Sequence, residues 1–307
     1  MSVKPGIDLS GALMLIAFSA LVAFNQLLVK QVNVGMAPLF QAGMRSAFAI
    51  MPVAVYALWA GKKLDLRDGS FWPGILAGLF FTGEFTMLFL GLDFTSVARA
   101  SLFFYTMPFW VAIGAHFLIE GDKLTRVKVA GLLLAISGVA MALLKGDNTS
   151  GPDAYLGDLM CLLGAICWAG LTLVARASRL NQAAPEMQLL YQLAVSALLL
   201  VPLALVSGDT WREMTPFLGA LFAFQVLIVV SFGFVVWFWL LTIYPASAVA
   251  SFGFLAPVFG LFFAWAFLGE KIGVNLILAL ALICVGLVLV TRRASPRPRT
   301  ESVAEQA

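Results

Sequence analysis

Along the chain, apolar residues fall in long runs broken by short polar stretches, without the two-residue alternation of a half-buried strand. A helix crossing a bilayer needs about 20 such residues. Ten runs of that size are present, over approximately 9–29, 36–60, 72–91, 97–119, 127–145, 156–177, 185–206, 215–242, 246–268 and 273–291. They are roughly twice as long as barrel strands, and backbone groups in lipid must be satisfied within the element, so helices are predicted. The breaks are too short for a soluble domain. The expected fold is an all-α integral membrane protein of ten transmembrane helices.

The two halves of this pattern resemble one another. Gly11-Ala12-Leu13-Met14 reads like Gly157-Asp158-Leu159-Met160, and Lys30 falls opposite Arg176. Pro38, Gln41 and Arg45 match Pro185, Gln188 and Gln192 at one offset, Met51-Pro52 resembles Val201-Pro202, and Pro108 answers Pro257. Turns follow at Gly121-Asp122-Lys123 and Gly269-Glu270-Lys271, and then Gly138 and Gly286. Five helices per half is an odd number, so the second half enters the membrane from the opposite side and the repeats are inverted. The expected organisation is 1–146 as the first repeat, 147–291 as the second, and 292–307 as a basic cytoplasmic tail drawn to anionic lipid. The first run, after Lys4, is longer than a signal peptide's apolar stretch and the repeat requires it, so it is expected to be retained.

Composition sharpens this picture: 62% of the 307 residues are hydrophobic and 11% are charged, with a mean hydropathy of +0.98. The net charge of +3 says less than its distribution. With a cytoplasmic N-terminus, one side collects 13 basic residues, namely Lys4, Lys62, Lys63, Arg67, Lys123, Arg126, Lys128, Arg176, Arg179, Arg292, Arg293, Arg297 and Arg299. The other collects 5, Lys30, Arg99, Lys145, Arg212 and Lys271. The positive-inside rule then puts both termini on the cytoplasmic side, the chain crossing the membrane repeatedly. The three cysteines, Cys161, Cys167 and Cys284, have neither metal-ligand nor redox spacing and read as small core residues.

Ten helices, two five-helix repeats, a Gly-acid-Lys turn closing the fourth and ninth helices, and a proline midway along each form a pattern that resembles the EamA-type drug/metabolite transporter family. The likeness covers about residues 9–291, with Asp122 standing where the family's first turn usually has Glu. Within the family the chain is similar to the bacterial YddG-type aromatic amino-acid exporters. The resemblance implies helices arranged around a central cavity, export from the cytoplasm, small-metabolite substrates, and no cofactor or catalytic residue.

Charges deep in a membrane are costly, at least about 2.5–3.5 kcal/mol each on insertion scales. Arg45 and Glu84 fall at similar depths on the second and third helices. They read either as a structural ion pair or as a substrate site, the arginine fork taking a carboxylate and the glutamate an ammonium or a proton. Their repeat counterparts are Gln192 and Gly233, so these charges belong to one half. Gln41 precedes Arg45, and Gln188 precedes Gln192, by one helical turn, giving each helix a polar face. Asn25, Gln26, Ser101, Tyr105 and Thr172 are further candidate hydrogen-bonding groups, or polar glue between helices. Trp168, one turn from Thr172, Trp237, and Phe81 beside Glu84 are candidate walls for an apolar or aromatic substrate, whereas Trp59, Trp72 and Trp211 read as interfacial anchors. Pro52, Pro108, Pro202 and Pro257 are candidate hinges, since interior prolines break helix hydrogen bonds. His116 is expected at the interface.

The reading that follows is a secondary exporter of amino acids, aromatic ones preferred, monomeric, working by alternating access with protons as a candidate coupling ion. An exporter of lipophilic cations is the alternative, with Glu84 as its essential charge. A membrane enzyme lacks a His-Glu-x-x-His pair, an intramembrane Asp dyad or a Ser/His arrangement; no Gly-x-x-x-x-Gly-Lys loop marks a primary pump. Nothing points to nucleic acid.

Overall fold

The computed structural model describes residues 7–62, 64–120, 122–144, 153–244 and 251–291. Of the positions singled out above, Lys4, Lys63, Gly121, Lys145 and the 292–307 tail lie outside them. The α-helices are α1 (Leu9–Val32), α2 (Pro38–Trp59), α3 (Phe71–Phe94), α4 (Val97–Phe104), α5 (Met107–Leu118), α6 (Arg126–Leu144), α7 (Ala154–Ala177), α8 (Pro185–Ser207), α9 (Pro216–Phe224), α10 (Gly233–Ile243), α11 (Leu255–Leu268) and α12 (Val274–Thr291). Together α4 and α5 make one crossing; so do α9, a π-helical segment at Gln225–Phe232, and α10. Among the described residues nine crossings are long and apolar enough to span a membrane, and a shorter apolar stretch at Phe252–Leu268 supplies the tenth. No strand occurs among the described residues; an isolated bridge pairs Met36 with Trp211.

Local chemistry sets the helix ends. Pro38, Pro185 and Pro216 open α2, α8 and α9, where a missing N–H is harmless. Asp8, Ser96 and Thr215 cap α1, α4 and α9 by accepting from the N–H of Gly11, Arg99 and Leu218. Gly208 and Gly269, at φ 74° and 64°, close α8 and α11 in the left-handed conformation that glycine adopts without penalty. Trp59 and Trp72 are 84% and 76% exposed at helix ends.

With no water to expel, membrane helices associate by close backbone approach and polar contacts. A Cβ on Gly91 would lie 2.9 Å from the Gly157 carbonyl oxygen, and one on Gly157 2.7 Å from that of Gly91, so α3 and α7 touch backbone to backbone. The same applies to α6 and α12 at Gly131 and Gly286. The latter pair joins a helix to its own repeat counterpart, as does α2 with α8.

Two of the candidate hinges fall at helix breaks. Pro108 does not interrupt a continuous fourth helix: α4 stops at Phe104, and Pro108 lies in the first turn of a new helix, α5. Pro257 likewise lies in the first turn of α11, after a 3-10 turn at Ser251–Phe254. The physical reason is the same in both: the proline ring clashes with the turn before it, and the chain relieves the clash by ending one helix and starting another. Pro52 and Pro202 do sit inside α2 and α8.

Candidate functional site

Apolar side chains collect into two large buried clusters. One is built around Phe89, Leu92, Phe103 and Leu261, the other around Phe40, Phe81, Tyr191 and Phe222; Phe85 and Trp168 pack against both. The charged pair singled out by sequence lies at this junction. On α3, Phe81, Phe85 and Phe89 follow at four-residue spacing and form a ladder on one face, with ring centroids 4.6 Å and 5.8 Å apart. The Arg45 guanidinium carbon rests 4.0 Å from the Phe85 ring centroid and 4.8 Å from that of Phe89, a cation–π arrangement.

Arg45 is 2% exposed and Glu84 4%. Each charge acts on the other, yet they do not come within the 4.0 Å of an ion pair. Arg45 Nε and Glu84 Oε2 are both buried without a hydrogen-bond partner. The structural ion pair considered from sequence is therefore not what the side chains make; the two charges stand apart, each incompletely satisfied.

Around them the broken crossing and α7 supply an aromatic wall. Trp168, half-buried on α7, stacks on Phe104 at 5.0 Å and meets the edge of Tyr105 at 6.2 Å. Gly164, one turn before Trp168, holds α3, α4 and α7 together: its missing Cβ would lie 3.2 Å from the Glu84 carbonyl oxygen and 3.4 Å from the Phe104 ring. Tyr105 is buried at the end of α4 with its hydroxyl unpartnered, and the same holds for Asn25 Oδ1 and Gln26 Nε2 on α1. Ser101 Oγ donates to Gln26 Oε1 at 2.5 Å.

Other predicted groups are placed elsewhere or spent locally. Gln41, fully buried, donates to Gln225 Oε1 at 3.3 Å; sequence reading missed Gln225, whose π-helical turn has no signature in the apolar run around it. Gln188 donates to the carbonyls of Leu180 and Ala183 and so ties down the turn before α8. Thr172 Oγ1 donates to the Trp168 carbonyl, and Gln192 is half-buried on α8. Trp237 stacks on Phe18 at 5.0 Å in a third cluster with Leu15, Leu240 and Tyr244, apart from Arg45 and Glu84.

A second polar centre, also missed, surrounds the turn between α3 and α4. Lys30 Nζ donates to the carbonyls of Leu92 and Thr95 at 2.8 and 2.6 Å, putting a cation at the C-terminus of α3. Glu270 accepts from the N–H of Val97 and Ala98 at 2.8 and 3.0 Å, putting an anion at the N-terminus of α4, the arrangement a helix dipole favours. Arg99 forms a bidentate pair with Asp158, which also accepts from Thr95 Oγ1 at 2.7 Å. Arg212 bonds Asp93 at 3.0 Å and the Asn33 carbonyl at 2.9 Å. Side chains from α1, α7 and two loops thus clamp one turn, and the Met36–Trp211 bridge closes the same end. At the opposite end, Asp122 accepts from Lys128 at 2.7 Å and from Arg176 at 3.1 Å. These bonds, that of Lys128 foremost, hold its carboxyl below the usual carboxylate range. His116 Nδ1 accepts from the Leu124 N–H beside it.

Two sets of five crossings agree with a repeat that known sequences share. The sequence profile of the EamA-like transporter family matches residues 9–144 and again 155–292. The chain belongs to the EamA-like transporter family. Among EamA-like relatives, the uncharacterized transporter YoaV of Bacillus subtilis (strain 168) is 27% identical over 261 residues, covering 85% of this chain and 89% of its own. An uncharacterized transporter of Archaeoglobus fulgidus is 30% identical over 217 residues, covering 68% and 73%. A probable amino-acid metabolite efflux pump of Salmonella typhimurium is 28% identical over 268 residues, covering 83% and 85%. One solved crystal structure superposes with a TM-score of 0.63 over 91% of this chain and 96% of its own; at 21% identity it speaks for the fold. The EamA repeat and the apolar crossings make this a multi-pass transporter of the cytoplasmic membrane.

Proposed function

We propose that this transporter exports amino acids from the cytoplasm, with aromatic side chains preferred, and that Arg45 and Glu84 hold the two ends of the zwitterion. One observation carries the reading: a buried cation and a buried anion stand near each other, each with an unpartnered polar atom and no direct ion pair. Burying an unpaired charge is expensive. A bound amino acid relieves both costs at once, its carboxylate accepting from the arginine fork and its ammonium donating to the glutamate. The stacked wall of Trp168 and Phe104, with Phe81 below Phe85, suits a flat apolar side chain. The efflux-pump relative of Salmonella typhimurium, named for amino-acid metabolites, supports the substrate class.

The inverted halves provide the mechanism, alternating access to a midplane site. The excess of Lys and Arg beside the Arg176 end supports a cytoplasmic position for that end and for both termini. The clamped turn between α3 and α4 is then the closed extracellular gate, and the chain works as a monomer with 1–146 and 147–291 as its two moving repeats. Substrate shifts the balance between states only as far as it binds them differently. Exporting a lipophilic cation is the second reading, favoured by Glu84 beside aromatic rings; it needs the glutamate and is hindered by Arg45.

Counterflow in proteoliposomes preloaded with phenylalanine, threonine or a lipophilic cation separates the two, and an imposed pH gradient reports any proton coupling. A disulfide joining Met36→Cys and Trp211→Cys, across the isolated bridge, is expected to stop transport and release it on reduction. Full transport with that crosslink formed would refute alternating access through this gate.

A further inference from the structure

We propose that the Tyr105 hydroxyl is a specificity-determining group that bonds a polar atom on the substrate's side chain, so that a phenol or indole ring is preferred to a bare phenyl ring. The inference rests on the amino-acid reading above. Tyr105 is 6% exposed and its hydroxyl has no partner. A buried hydroxyl normally finds one, because leaving it bare costs the desolvation of the group with no return.

The ordinary candidates are already engaged. Ser101 Oγ, one turn earlier on α4, is given to Gln26 Oε1. Thr106 Oγ1 donates to the Phe103 carbonyl at 2.6 Å and accepts from Trp110 Nε1 at 3.3 Å. The Tyr105 N–H is spent on the Ser101 carbonyl at 3.1 Å. Phenylalanine would fill the same space, so the protein's own packing gives the hydroxyl nothing to do.

Its surroundings supply the use. The Tyr105 ring meets Trp168 edge-on, and Trp168 stacks on Phe104, the residue that converges with the Glu84 backbone on Gly164. A substrate anchored at Glu84 and Arg45 with its ring along this wall extends toward the end of α4. There it also finds Gln26, bonded through Ser101, with Nε2 unpartnered. The phenol of Tyr105 can donate to a substrate oxygen or accept from a substrate N–H, so the same position serves a tyrosine-like hydroxyl and a tryptophan-like indole.

The test compares wild type and Tyr105→Phe in proteoliposomes by counterflow of phenylalanine with tyrosine, tryptophan and 4-methylphenylalanine as competitors. Wild type is expected to prefer tyrosine and tryptophan to phenylalanine by about five- to tenfold, the scale of one net hydrogen bond. Tyr105→Phe should erase that preference, so that tyrosine and tryptophan compete no better than phenylalanine. 4-Methylphenylalanine, which matches the size of the tyrosine ring substituent without a polar atom, is tested on wild type alone and so independently of any variant's folding; it should compete no better than phenylalanine. An unaltered preference in Tyr105→Phe, or equal competition by 4-methylphenylalanine and tyrosine, would overturn the proposal alone. Absence of exchange of every amino acid by wild type would overturn it together with the amino-acid reading.

Discussion

Replacing Asp158 with Ala leaves the Arg99 guanidinium, whose side chain is 4% exposed, without the carboxylate that takes both its Nε and its terminal nitrogen. It also strips Thr95 Oγ1 of its acceptor. Removing one member of a buried pair costs about 3–5 kcal/mol, because the survivor remains buried and unpaired. Asp158→Ala and Arg99→Ala should each lose about that much, whereas replacing both by apolar residues of similar volume should recover a large part of it. The loss is measured by reversible unfolding in mixed micelles, as a double-mutant cycle whose coupling term isolates the pair. Because Gly91 and Gly157 bring α3 and α7 into backbone contact nearby, the side chains have little room to move toward water. A cost below about 1 kcal/mol for Asp158→Ala, the range of an exposed pair, would refute the reasoning.

Two further outcomes follow from particular contacts. Gly286→Leu drives a side chain at the Gly131 carbonyl, 2.6 Å from where its Cβ would stand, and should separate α6 from α12; loss of a crosslink engineered between these helices reports it. Asp122, its carboxyl lowered first by the hydrogen bond from Lys128 and then by Arg176, contributes stability above its ordinary value of 3.8 and loses it as the pH falls further. Asp122→Asn should therefore melt slightly lower than wild type near neutral pH, by less than about 1 kcal/mol for so exposed a cluster. The two should converge in acid; a constant gap would show that the carboxylate's charge is not what the pair uses.

The crossings were legible because lipid demands about 20 apolar residues per helix, a requirement that sequence alone expresses. Arg45 and Glu84 were legible for the converse reason: a charge so far from a helix end is conspicuous. Their geometry was not, since it depends on which rings of α3 the guanidinium packs against. Gln225, Lys30 and Glu270 act through partners 62 to 184 positions away, and nothing in their own neighbourhoods announces those partners. Asp158 carried a faint signal, an acid in the opening turns of an apolar helix, which the repeat comparison passed over because its counterpart is Ala12. Likewise the break after Phe104 was signalled by Pro108, but the sequence did not distinguish a bent helix from a new one.

Counterflow with Arg45→Ala and Glu84→Gln, each checked for folding, tests the central claim most directly. Phenylalanine exchange by wild type that either substitution reduces by at least about a hundredfold, the loss of one charge-assisted contact or more, is the predicted result. Undiminished phenylalanine exchange in Arg45→Ala, or exchange of the lipophilic cation alone, would contradict a site built for a zwitterion.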